Sequence, residues 1–99
     1  MKLKDPALDL AVCLATLSSS RDAALPSDWV FIGEVGLLGE VGRVPYLENR
    51  VKEAAKAGFA KALVPSRSLK DISAPGIKLS GAADLGEAAA LFFSEERNS

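Results

Sequence analysis

Few side chains in this sequence can do chemistry. Ser18, Ser19 and Ser20 offer hydroxyl nucleophiles, Cys13 offers a thiol, and Lys52, Lys56 and Lys61 offer amines. A serine needs a base to activate it, and the chain contains no histidine. A lysine serves as that base only when burial keeps it neutral, and these three stand in solvated polar patterns. Cys13 lies among leucines at helical spacing. That is the setting of a small buried hydrophobe, not of an activated thiolate, which wants positive charge and access to water. No Cys/His cluster has metal-ligand spacing. Asp9 is the lone charge inside an apolar helical segment, where it suits the positive end of a helix.

The stretch GEVGLLGEVG, residues 33–42, is the other candidate, with a glycine at every third position. A phosphate loop would need a Lys-Ser or Lys-Thr after its last glycine, and a dinucleotide fingerprint would need Gly-x-Gly. Neither is present, and Glu34 and Glu40 would repel a phosphate. Three repeats without proline are no triple helix. The remaining reading is a β-hairpin whose glycines permit a turn or a close approach.

The elements that must carry these residues follow from pattern. The chain has 99 residues, 48% hydrophobic and 25% charged, with a formal net charge of −1, which fits one small globular domain with a modest core. Near-neutral charge argues against a strongly basic nucleic-acid surface. A single cysteine allows no internal disulfide and fits a reducing, cytoplasmic setting. No apolar run approaches the roughly 20 residues of a membrane helix, so no membrane partner is expected.

Asp5-Pro6 starts a helix over about 6–19, apolar nearly all round and therefore expected to be buried, fraying at the serine run. WVFIGEV and LLGEVGRV read as the two strands of a hairpin over about 29–43. A helix over about 45–57 follows Pro45, with Glu48 and Lys52 in the favourable i,i+4 order. A strand over 61–65, a loop, a short strand at IKLSG, and a last helix over about 84–95 with an Asp84/Glu87 capping pattern complete the chain. The expected fold class is α/β (α+β): three helices packed on a small mixed sheet. Composition and spacing show no active site.

A resemblance adds to this. WVFIGEVGLLGEVGRVPYLENRVKEAAKAGFAKALVP, extended upstream by DPALDLAVCLATLSSSRDAALPSD, closely resembles the C-terminal region of the bacterial RadA (Sms) family. Those proteins are RecA-like DNA-repair ATPases whose last domain is similar to the proteolytic domain of Lon. The resemblance implies a Lon proteolytic-domain-like (ribosomal protein S5 domain 2-like) fold. Lon carries its nucleophilic serine in Pro-Ser-Ala-Gly at the start of the first helix; the matching stretch here is PALD, with Ala7 at the serine position. Lon's lysine lies early in the helix after the hairpin; here PYLE places Glu48 there. Alanine has no attacking atom and a carboxylate cannot replace the amine, so the resemblance implies a domain without peptidase activity.

It also implies a homo-oligomer, a hexameric ring in the resembled family, working in recombinational repair and branch migration on duplex or branched DNA. Arg43, Arg50, Lys52 and Lys56 are the candidate DNA contacts. ATP, Mg and Zn are expected only in domains that this stretch does not contain, and no cofactor is expected on these residues. The family has strands before the first helix, and Met1 starts almost at that helix. The expectation is therefore a terminal fragment, truncated at its N-terminus, whose open sheet edge invites pairing between chains. Two other readings stay open: a fragment of an ATP-dependent Lon-type serine protease, and a generic protein-interaction module.

Overall fold

The computed structural model describes residues 5–93 as a small mixed α/β domain. A 3-10 turn, Pro6–Leu8, leads directly into α1, Asp9–Arg21. Then come β1 (Trp29–Phe31), β2 (Glu34–Val35), β3 (Val41–Gly42), α2 (Leu47–Lys56), β4 (Lys61–Pro65), a second 3-10 turn (Ser66–Asp71), β5 (Lys78–Ala82) and α3 (Leu85–Phe92).

Three sequence expectations need correction. The hairpin over 29–43 is split. β1 pairs in parallel with β4, in register Val30 with Ala62, while the antiparallel ribbon is only β2 with β3, Val35 opposite Val41. β1, β4 and β5 form a parallel sheet in that order, and the ribbon meets it beyond the end of β5, where Glu40 bridges Asp84 in antiparallel sense and the Val41 N–H donates to the Ala83 carbonyl at 2.9 Å. The cause is Gly33. Its N–H donates to the Ala7 carbonyl and its carbonyl accepts from the Leu10 N–H, both at 3.0 Å. That diverts the chain from the sheet onto the helix start. A Cβ at Gly33 would lie 2.8 Å from Val41 Cγ1, so only glycine permits the approach.

Leu37 and Leu38 are not strand residues but the fully exposed tip of the ribbon. Gly39, at φ +87°, makes the turn, and the Glu40 carboxylate accepts the Leu38 N–H at 3.1 Å. The expected fraying at the serines is also absent. α1 runs on to Arg21, Asp22 caps it in the left-handed region, and the Ser18 hydroxyl donates to the Ala23 carbonyl. The last expected helix ends at Phe92 among the described residues; positions 94 and 95 of that expectation lie outside them.

Two core clusters lie on opposite faces of the parallel sheet. β4, at its centre, explains why. Alternation sends Ala62 and Val64 into a cluster with Ala7, Ile32, Leu47, Val51 and Ala54 from the α2 side. It sends Leu63 into the other, with Leu10, Leu14, Val41, Ala88 and Phe93 from α1, the ribbon and α3. A central parallel strand buried on both faces reads as a continuous apolar run, as KALVP does. Asp84 caps α3 by accepting the Glu87 N–H, and Glu87 reaches back to the Ala83 N–H, both at 2.8 Å.

Leu63→Ala should cost about 2–5 kcal/mol and Gly33→Ala about 1–3 kcal/mol. Leu37→Ser at the exposed tip should stay within about 0.5 kcal/mol of the parent. Urea unfolding of the three variants checks the order.

Candidate functional site

The position that the sequence marks as decisive is Ala7. Asp5 accepts the Ala7 N–H at 3.1 Å and so caps the opening turn. The Ala7 carbonyl is taken by Gly33, and the methyl group is 1% exposed within the α2-side core. A hollow of about 440 Å³ lies over this point. Leu8, Val30, Phe31 and Ile32 line it on one side, and Arg50, Glu53, Ala54, Ala57 and Phe59 on the other.

Glu48 is not among the residues lining that hollow. It is half-buried in the first turn of α2, with its carboxylate 3.1 Å from the Lys52 ammonium. The structure thus sets Ala7 into packing and Glu48 into a surface ion pair. It does not bring the two to the walls of that hollow.

Arg50 has a partner that sequence reading missed. Its guanidinium donates to both Asp5 carboxylate oxygens, at 3.1 and 3.4 Å, and its Nε donates to the Pro45 carbonyl. This fork joins α2 to the turn that carries Ala7. The partners are 45 residues apart, so no local pattern announces them. The Ala7 N–H, and after it the Arg50 guanidinium, hold the Asp5 carboxyl below its ordinary value. Both side chains remain reached by solvent, so screening limits the pair's contribution.

Asp9 has a comparable structural role: its carboxylate accepts the Val35 N–H at 3.2 Å and ties α1 to the ribbon. Cys13 is half-buried on α1. Lys61, read as solvated, is half-buried with its ammonium 5.6 Å from the Trp29 ring centroid.

The other candidate DNA-contacting cations differ in their company. Lys52 pairs with Glu48, and Lys56 stands 3.8 Å from Glu53. Arg43 is exposed just beyond β3, with no ion pair among the described residues. Tyr46, three residues on, is exposed and holds φ +59° at the start of α2. A non-glycine residue in the left-handed region is uncommon, and pattern reading gave no sign of it. No group of three or more His, Cys, Asp or Glu positioned to hold a metal occurs among the described residues. No described helix is long and apolar enough to cross a membrane.

Residues 1–68 match the ChlI family, described as subunit ChlI of Mg-chelatase, and the chain belongs to that family. Over most of its length it is also similar to proteins named DNA repair protein RadA. Identity is 47% with that of Bacillus subtilis (strain 168), over 89% of this chain and 19% of the relative. With that of Escherichia coli (strain K12) it is 41%, over 93% and 20%. With that of Streptococcus pneumoniae (strain ATCC BAA-255 / R6) it is 48%, over 76% and 18%. The chain therefore spans about a fifth of the length of these relatives.

The Asp5 shift has a signed consequence. A carboxyl whose folded pKa is depressed stabilises the fold above its unfolded pKa, and that contribution is lost as pH falls through the folded value. Asp5→Asn keeps the capping acceptor and removes the charge. Its melting temperature should lie below the parent's at neutral pH, and the gap should close as pH falls below the ordinary carboxylate value of 3.8. Thermal melts of both proteins across that range check it.

Proposed function

We propose that this chain is a Lon-like domain without peptidase activity, serving as a scaffold and assembly unit in a DNA-repair protein of the RadA kind. The observation that carries the reading is 47% identity to a protein named DNA repair protein RadA across 89% of the chain. The residue chemistry supports the absence of peptidase activity: Ala7, the position of Lon's nucleophile in the resemblance, has no attacking atom and is packed into the core. In this reading the ATP-driven steps, with their Mg and Zn sites, belong to the remainder of the longer protein. This domain contributes ring assembly and surface for duplex or branched DNA in recombination and branch migration.

Among the four candidate cations, Arg43 is the one best disposed to meet a phosphate, because Lys52, Lys56 and Arg50 already face carboxylates. Removal of a phosphate-contacting cation weakens binding across sequences and lowers the salt slope by about one. The test uses the full-length protein containing this domain. Changing Arg43 to Ala should weaken duplex binding and flatten its salt dependence. Unchanged affinity in Arg43→Ala, Lys52→Ala and Lys56→Ala alike would remove DNA contact from this domain.

Peptide hydrolysis tests the other half. The unmodified chain should release no product from an unfolded protein substrate, and neither should Ala7→Ser with Glu48→Lys, because Glu48 does not line the hollow over position 7. Cleavage by the unmodified chain would return it to the working proteases.

A further inference from the structure

The ribbon ends in two leucines that the fold holds out into water. Leu37 and Leu38 are 104% and 94% exposed. Their turn is tightly bonded. The Gly36 carbonyl accepts the Gly39 N–H at 3.0 Å, and the Glu40 carboxylate accepts the Leu38 N–H. The Gly39 carbonyl accepts the Leu85 N–H at 2.7 Å, which fastens the tip to the start of α3. A tip fixed in this way loses little freedom when it is covered, so exposed leucines there mark a contact surface.

A hollow of about 430 Å³ adjoins Leu38. Leu17 of α1 and Leu85 and Ala89 of α3 give it apolar walls, and Asp84 stands at its margin. The bridge between Glu40 and Asp84 sets these two carboxylates on facing residues, and Glu87 follows in the first turn of α3. Each of the three spends one oxygen on a backbone N–H, which fixes it in place. None forms an ion pair with a lysine or arginine among the described residues. Arg21, one turn beyond Leu17, is engaged at the Phe93 carbonyl. The positive end of α3 offsets part of this charge, but like charges on facing residues stay unfavourable until a cation joins them.

We infer that the ribbon tip and this hollow bind a basic amphipathic helix of another protein. Its aliphatic face covers Leu37 and Leu38 and sets one side chain into the hollow against Leu17 and Leu85. Its lysines or arginines lie beside Glu40, Asp84 and Glu87. A helix suits the surface better than a strand, because the ribbon's backbone is already engaged. Val35 N–H goes to Asp9, and Val41 N–H goes to the Ala83 carbonyl. What is left to recognise is an apolar knob, a hollow between two helices and an acidic margin. That margin repels phosphates, so the contact is distinct from the DNA surface and the ring assembly proposed above, and it stands without either.

The probe is a labelled helical peptide of leucine and lysine, with the leucines on one face. Its control carries glutamate in place of lysine. Fluorescence anisotropy with the 99-residue chain should show the lysine peptide binding at least about tenfold tighter than the control. Leu37→Ser with Leu38→Ser should weaken that binding at least about tenfold without lowering the melting temperature. Glu40→Gln with Asp84→Asn keeps both capping oxygens and removes two charges. This pair should weaken binding several-fold and flatten its salt dependence. Leu91→Ser, on α3 but outside the hollow, should leave binding unchanged.

Equal binding of the two peptides, or none of either, overturns the inference. So does lysine-peptide binding that survives the double serine variant, that ignores the loss of Glu40 and Asp84 charge, or that falls equally in Leu91→Ser. A chain that self-associates in sedimentation equilibrium and becomes monomeric in the double serine variant also overturns it, because a second copy then occupies the tip.

Discussion

The structure depends on a backbone clasp between the end of β1 and the start of α1. Gly33 gives its N–H to the Ala7 carbonyl and takes the Leu10 N–H on its own carbonyl. A Cβ at position 33 would lie 2.8 Å from Val41 Cγ1, which favours glycine there, and Ala7 is itself 1% exposed in the core. Asp5 and Arg50 hold the same junction from outside, and Asp9 ties its far side to the ribbon. The clasp turns the chain out of the parallel sheet after β1 and sets Ala7 in the core.

The consequence for function runs through Ala7. A nucleophile must present its reacting atom where a substrate can reach it, held by a base within hydrogen-bond distance. Position 7 presents a buried methyl group, and Glu48 spends its charge on Lys52. At this position the structure supports packing. Among the described residues, what remains available for contact is surface: the ribbon tip with Leu37 and Leu38, and the exposed Arg43 and Tyr46.

Local chemistry was legible in the sequence, and long-range pairing was not. The Asp5 cap, the Asp84/Glu87 box, the i,i+4 pair of Glu48 with Lys52 and the apolar run of β4 are each decided within a few residues, and each can be read from the chain. The division of WVFIGEV between two sheets was hidden, because it follows from Gly33 meeting a helix more than twenty residues earlier. The Asp5–Arg50 fork was hidden for the same reason. The apolar circumference of α1 was correctly seen but assigned wholly to the core, while the fold leaves Leu8 and Val12 exposed.

Hydrogen exchange of individual amides tests the clasp most directly. The account predicts that the Gly33 and Leu10 amides exchange only through global unfolding, as slowly as the central strand β4, while Leu37 at the ribbon tip exchanges without it. Rapid exchange at Gly33 and Leu10 beneath a protected β4 would contradict the account. The junction would then open on its own, and position 7 would be no fixed part of the core.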